Sequence, residues 1–183
     1  RVSAGFTAEL LGKTSGLSLF FDPGYVFYQE FTEKNTWRIP ANLRAWTDLS
    51  RATRLEFSNN FLRTEDPVAQ DLVTAEGGRV EETGDNTLRR GREPYYRNRA
   101  RANASHQFGR EDRVYAGFLY GLLRNDDDRI EDNDEYRASA GLDYWFSQKF
   151  GSQLFGEYTR GEFSQNSDFV GVPSGDFDNW WGT

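Results

Sequence analysis

The chain has 183 residues, a formal net charge of −7 at pH 7, no Cys and a single His. This length fits one domain or one part of a larger domain. The lack of Cys excludes disulfide-stapled scaffolds, Cys-ligated zinc and thiol catalysis, and one His cannot build a His-rich metal site. The acidic balance argues against nucleic acid as a partner, although 19 of the 22 basic residues are Arg.

The apolar runs of the sequence are only a few residues long, far short of the ~20 residues that a membrane-spanning helix needs. The length of apolar runs does not detect transmembrane β-strands, because their alternating pattern gives a weak hydropathy signal in each segment. The chain begins at Arg1. We interpret it as a processed or truncated product, so the lack of targeting signals says nothing about location.

Apolar and polar residues alternate with a period of two along most of the chain, as in β-strands. From Trp37 to Leu49, one set of alternating positions is apolar and the other is largely polar. Similar patterns predict eight strands and no helix, over 2–11, 16–31, 37–49, 54–61, 96–108, 113–124, 136–146 and 152–163. Several of these are long enough to cross a bilayer at a tilt, and longer than typical strands of soluble sandwiches.

Two strands contain a proline, Pro23 in the second and Pro40 in the third. Proline lacks the N–H that a sheet ladder uses. We therefore expect both residues at a bulge, near a rim, or beside an irregular pair.

Short and long connections alternate along the chain. Short polar turns are predicted at 12–15, 48–52, 109–112 and 148–152. The connections between them, at 32–35, 64–94, 125–134 and 164–183, are mostly longer, and the last is either an outer loop or the start of a further strand. This arrangement is typical of outer-membrane barrels, which have short periplasmic turns and long outer loops. The fold class predicted is therefore an antiparallel transmembrane β-barrel.

If the short turns are periplasmic, the chain begins and ends on the outer side. Complete barrels of this type normally begin and end in the periplasm. We therefore expect residues 1–183 to be a portion of a larger barrel of ten or more strands. A single barrel domain closed by the eight predicted strands remains the alternative.

Aromatic residues cluster near the predicted strand ends, where interfacial girdles form in membrane barrels. Ordinary burial at the edges of a sheet remains the alternative. The residues predicted to face lipid or to form the girdle are Trp37, Ile39, Leu43, Leu55, Phe57, Tyr96, Phe108, Tyr136, Leu142, Tyr144 and Phe146.

Arg97, Arg99 and Arg101 lie on one side of one predicted strand, opposite Ala100, Ala102 and Ala104. An Arg facing lipid at the bilayer midplane costs about 2–4 kcal/mol, so we expect the three arginines to face the lumen. The lumen-lining residues predicted by this argument are Arg38, Arg44, Arg54, Arg97, Arg99, Arg101 and Arg137. Two interpretations stay open: a salt-bridge network with Glu56, Asp143 or Glu157 that stiffens the wall, and a basic stripe that attracts anions.

Other apparent motifs have simpler interpretations. Gly12-Lys13-Thr14 lacks the glycine spacing and the helix of a phosphate-binding loop and is read as a turn. The acidic segment from Asn125 to Glu135 offers Asp126, Asp128 and Asp132 as weak metal ligands, but without the EF-hand order. Glu56 and Glu157 are not placed at the spacing that glycoside hydrolysis needs. His106 is expected at the membrane interface.

Several segments resemble a bacterial family of outer-membrane β-barrel porins. They are Ser50–Phe57 with Phe61–Pro67, Asn125–Asp128 with Ile130–Asp132, Tyr144–Phe146 before Phe150-Gly151, and Tyr158–Phe163. The resemblance spans roughly residues 16–183. It implies an antiparallel barrel in the outer membrane of a Gram-negative bacterium, without catalytic residues.

These observations favour a porin-like barrel that lets small polar or ionic solutes diffuse, with no enzymatic activity and no cofactor. The partners expected are outer-membrane lipid, lipopolysaccharide and small polar or anionic solutes. A second copy of the chain or another protein is left open as a partner. One alternative is a non-conducting barrel that sheathes a partner protein, with Gly117, Gly121 and Gly141 leaving room. The other is a soluble, acidic carbohydrate-binding β-sandwich, with Trp145, Trp180 and Trp181 as stacking platforms.

Overall fold

The computed structural model describes residues 1–29, 35–65, 94–126, 132–164 and 176–183. These ranges form eleven β-strands and no helix, so none of them holds a helix able to cross a membrane. The strands are β1 (Val2–Ser3), β2 (Phe6–Leu11), β3 (Ser15–Phe21), β4 (Gly24–Val26), β5 (Thr36–Asp48), β6 (Thr53–Thr64), β7 (Tyr95–Gln107), β8 (Arg113–Asn125), β9 (Asp132–Trp145), β10 (Gly151–Ser164) and β11 (Phe177–Gly182). The loop predicted at 64–94 falls almost entirely outside the described residues.

All eleven strands belong to one antiparallel sheet. From β5 to β11 the strands pair in chain order, β2 pairs with β3, β1 pairs with β4, and both β3 and β4 pair with β5. The all-β antiparallel prediction is confirmed. The predicted strand over 2–11 is divided into β1 and β2, and the one over 16–31 is divided into β3 and β4 and ends at Val26. The acidic connection predicted at 125–134 is shorter than expected, because β9 already begins at Asp132. Residues 177–182 form the further strand β11.

The proline positions coincide with the break between β3 and β4. Phe21 pairs with Ala41 before the break, and Gly24 pairs with Arg38 after it, so the pairing offset is the same on both sides. At the break itself, the Asp22 N–H donates to the Pro40 carbonyl at 3.2 Å. The prolines therefore interrupt the ladder without a bulge or a shift of register.

The connections sort onto two edges of the sheet. Turns join β2 to β3, β5 to β6, β7 to β8 and β9 to β10 at one edge, which we call the short-turn edge. At the first of these turns the Gly12 N–H donates to the Ser15 carbonyl at 2.7 Å, which makes Gly12-Lys13-Thr14 a hairpin turn. The connections from β4 to β5, β6 to β7, β8 to β9 and β10 to β11 leave from the opposite edge, the long-loop edge.

The sheet is open within the described residues: β1 and β2 form one margin and β11 forms the other. The closed barrel that the sequence predicts is thus not formed by these strands. Both β2 and β11 run towards the short-turn edge, so a direct contact between them would be parallel. An antiparallel closure needs an odd number of additional strands between the two margins.

Alternation along the strands and pairing between them give the sheet two distinct faces. The Arg face carries Arg97, Arg99 and Arg101 of β7, and the Ala face carries Ala100 and the alternating residues beside it. Every buried residue in the described ranges lies on the Arg face, including Leu62, Leu119 and Leu123. The crowding on one side shows that the sheet curves towards the Arg face.

The Ala face holds most of the exposed large apolar side chains, and no described element packs on it. They are Val2, Phe6, Leu10, Leu17, Trp37, Leu55, Phe57, Tyr96, Val114, Phe118, Tyr144, Leu154 and Trp180. A water-soluble sandwich would bury such a face against a second sheet. Here the polar face is the crowded one and the apolar face is exposed.

Candidate functional site on the Arg face

The seven arginines predicted to line a lumen all lie on the Arg face. Arg38 and Arg44 belong to β5, Arg54 to β6 and Arg137 to β9, and strand pairing places them on the same side as the three arginines of β7. The alternation of side chains along a strand is the physical reason, since it fixes the face of each residue.

A chain of ion pairs crosses four strands of this face. Glu135 on β9 lies 3.4 Å from Arg99 on β7 and 3.0 Å from Arg137 on its own strand. Arg137 in turn lies 3.8 Å from Glu157 on β10. The predicted pairing with Glu157 is therefore present, although at the long end of the range. Glu135 was predicted to lie in an acidic segment, but it belongs to β9, where the alternation places it on the face of Arg137.

Gly121 makes the contact between Glu135 and Arg99 across an intervening strand feasible. It lies on β8, paired in register with Arg99 on one side and Glu135 on the other. A Cβ at Gly121 would lie 3.5 Å from Glu135 and 3.6 Å from Arg99, so both side chains close over the bare glycine backbone.

Two further clusters lie towards the short-turn edge. Arg54 donates from Nε to Glu56 at 2.7 Å and lies over the ring of Trp46, 4.5 Å from its centroid. Arg113 donates to Asp143 at 2.8 Å and lies over Tyr115, 5.1 Å from that centroid.

These two clusters add Arg113 to the predicted set and confirm the expected use of Glu56 and Asp143 as partners. Guanidinium groups thus pair with carboxylates and with aromatic faces, the two roles that suit Arg better than Lys.

The glycines of the Arg face are less open than the sheath hypothesis expects. The ring of Tyr115 lies over Gly141, where an added Cβ would clash with it. Gly121 is covered by Glu135 and Arg99. Gly117 alone among these three has only the ends of two small polar side chains, Asn103 and Ser139, close to its missing Cβ.

Nine of the eleven residues predicted to face lipid lie on the Ala face. The other two, Phe108 and Phe146, lie in short turns beside it, and both rings contact Tyr144 with centroids 6.5 Å away. The nine are Trp37, Ile39, Leu43, Leu55, Phe57, Tyr96, Tyr136, Leu142 and Tyr144. His106 also lies on this face, with its Nδ1 2.8 Å from Thr53 Oγ1 across the strand pair.

The apolar belt of the Ala face runs obliquely across the paired strands. On β5 it covers alternate residues of 37–45 with Ala41 at the centre, and on β9 alternate residues of 136–144 with Ala140 at the centre. Strand pairing places Ala140 of β9 in the same cross-strand row as Thr47 of β5. The centre of the belt therefore shifts by six residues, from Ala41 to the level of Thr47, between β5 and β9, which are four strands apart. The intervening members of that row are Ala116, Ala104 and Leu55.

A shift of about 1.5 residues per strand, with a rise of ~3.4 Å per residue and ~4.8 Å between strands, corresponds to a tilt of about 45°. Strands of transmembrane barrels are tilted by about 35–45°. If the strands cross a flat apolar layer at such a tilt, the belt runs parallel to the plane of that layer. Charged residues of the Ala face, among them Arg124, Asp134 and Arg160, lie towards the long-loop edge.

The suggested metal ligands are not assembled in the described ranges, and Asp128 lies outside them. Asp126 is 3.5 Å from Arg63, and Asp132 accepts a hydrogen bond from the Asn125 N–H at 2.8 Å. Among the described residues, no group of three or more potential ligands is found.

Glu56 and Glu157 are separated by four strand steps in one row, about 19 Å along the sheet. Glycoside hydrolysis needs the two carboxylates about 5–9.5 Å apart. The rows of the sheet therefore give no support to this pair as an acid–base site.

Comparison of the chain with family models, with curated proteins and with solved structures finds no match. The resemblance to outer-membrane porins therefore stays a prediction.

Proposed function

We propose that this sheet is part of the wall of a porin-like outer-membrane β-barrel that allows small polar or ionic solutes to diffuse across the membrane. The Ala face would contact lipid, and the Arg face would line an aqueous lumen. The short-turn edge would face the periplasm and the long-loop edge the cell exterior.

One observation carries this proposal. The exposed apolar belt shifts along successive strands by the amount expected when tilted strands cross a flat lipid layer. A contiguous exposed apolar surface of this extent is rare in soluble monomers. The charged side chains at that depth lie on the opposite face, where water can solvate them. A soluble β-sandwich requires a second layer on the apolar face, and the described strands provide none.

The electrostatics of the Arg face support passage of small ions. It carries the arginine-rich strand β7 and the paired carboxylates Glu135 and Glu157, so it presents fixed charges to the proposed lumen. Rings of charged side chains set selectivity in channels.

The test is fractionation and conductance of the full-length protein. We expect recovery from outer membranes only with detergent, and stepwise ion currents in a planar bilayer. Substitution of Arg97, Arg99 and Arg101 by Gln should shift the reversal potential towards cation selectivity. The matched control replaces Lys13, Arg51 and Arg110 by Gln, which removes three positive charges from exposed positions in the short turns.

Recovery in the soluble fraction would refute the membrane proposal. A detergent-dependent protein that conducts nothing would refute diffusion and favour the sheath alternative.

A further inference from the structure

A polar groove of about 350 Å³ lies on the Arg face near the short-turn edge. Its floor is one cross-strand row made of Asn103 on β7, Gly117 on β8 and Ser139 on β9. Glu56 continues this row on β6. The remaining polar lining residues are Arg54, Ser105, Arg113 and Tyr115.

The groove exists because Gly117 has no side chain. A Cβ at this position would lie 2.9 Å from both Asn103 Oδ1 and Ser139 Oγ, so the two oxygens converge above the glycine. Within the part of the chain that the structure describes, neither oxygen has a hydrogen-bond partner. Tyr115 leans over Gly141 and leaves the space above Gly117 open.

The charged residues beside the groove compensate one another. Arg54 is bound to Glu56 at 2.7 Å, and Arg113 is bound to Asp143 at 2.8 Å. The groove therefore offers donors and acceptors without an excess of either charge. A solute that carries several hydroxyls matches this chemistry, since each hydroxyl both donates and accepts.

We propose that the groove is a binding subsite for small neutral polyhydroxylated solutes of monosaccharide size. This inference rests on the proposed function, because the Arg face must be reached from an aqueous lumen. Asn103 and Ser139 bind hydroxyls at the floor, and Glu56 and Arg54 bind neighbouring hydroxyls at the wall. The volume lies at the small end of the ~300–1,000 Å³ range of small-molecule pockets. An open groove releases its ligand readily, as conduction requires.

The test compares three probes with the same six-membered ring: glucose, glucuronate and glucosamine. Binding to the detergent-solubilised full-length protein is measured by saturation-transfer NMR. We expect glucose to bind at least fivefold more tightly than either charged probe. The double variant N103A/S139A should weaken glucose binding at least fivefold.

Gly117→Val should abolish glucose binding by filling the groove. Its matched control is Gly156→Val on the Ala face, where the nearest atom to an added Cβ is a backbone oxygen 4.0 Å away, and glucose binding should be unchanged. Unchanged glucose affinity in N103A/S139A, or preferential binding of glucuronate, would overturn the inference.

Conductance measured on the same preparations separates this inference from the proposed function. Ion currents without glucose binding would overturn the subsite and leave the pore. Glucose binding without ion currents would support the subsite and overturn diffusion as the function.

Discussion

Glu135 reaches Arg99 across an intervening strand, with 3.4 Å between Glu135 Oε2 and Arg99 Nη2 above the backbone of Gly121. Both side chains are mostly shielded from solvent, 20% and 23% exposed. An ion pair at such partly buried positions is screened less than a surface pair. The contact therefore ties β7 to β9 in addition to the backbone ladders.

Glu135→Gln should lower the free energy of unfolding by about 1–2 kcal/mol, because the carboxylate shared by Arg99 and Arg137 is lost. Urea unfolding in lipid vesicles, followed by tryptophan fluorescence, measures this loss. The control is Glu111→Gln in an exposed short turn, which should change stability by less than about 0.5 kcal/mol. Equal losses in the two variants would show that the carboxylate does not tie the strands.

Gly121→Ala should be tolerated, because its Cβ would meet Glu135 and Arg99 at ordinary contact distances of 3.5 and 3.6 Å. Gly121→Leu should destabilise the sheet by about 1–3 kcal/mol, since a long side chain fills the space over which the pair closes. In the Glu135→Gln background, the cost of Gly121→Leu should be smaller. Additive costs in this double-mutant cycle would rule out the coupling.

Ala140 and Ser139 are neighbours on β9 that point to opposite faces, so they form a matched pair. Ala140→Arg should cost about 2–4 kcal/mol in lipid vesicles, because it places a guanidinium at the centre of the apolar belt. Ser139→Arg should cost less than about 1 kcal/mol, since the Arg face is already polar. Unfolding titrations give both values, and a reversed order would contradict the assignment of faces.

Tryptophan quenching tests the same assignment without a stability measurement. Trp37 is 57% exposed on the Ala face, whereas Trp46 on the Arg face lies over Gly16. In single-tryptophan proteins with the others replaced by Phe, lipids brominated near the headgroup should quench Trp37 strongly and Trp46 weakly. Acrylamide, which quenches from water, should give a smaller effect on Trp37 than the brominated lipids. The opposite pattern would place lipid on the wrong side of the sheet.

The sequence predicted the faces of the sheet well and the details of its connections less well. Arg38 and Arg137 are far apart in the chain, yet alternation alone placed them on one face. The sequence predicted an interruption of the ladder at Pro23, but not that the register continues unchanged past it. The early start of β9 at Asp132 was not predicted, because strand ends depend on pairing partners. The sequence predicted a closed barrel, whereas the described strands form an open sheet, because alternation fixes the face of each residue and not whether the margins pair.

The candidate groove could not be found from the sequence. Asn103, Gly117 and Ser139 lie on three different strands, and nothing in their local sequence links them. Only the register of the two hairpins brings them into one row. A glycine at position 117 indicates a groove only when Asn103 and Ser139 are known to flank it.

The sequence by itself determined on which side of the sheet each side chain lies, because successive Cβ atoms alternate and this parity survives any register shift of two residues. The tertiary structure alone decided which charges meet. A shift of β9 by two residues would keep Glu135 on the Arg face but would move it away from Gly121 and Arg99. Register is set by the turns and by the summed pairing of whole strands, which no single segment of the sequence contains.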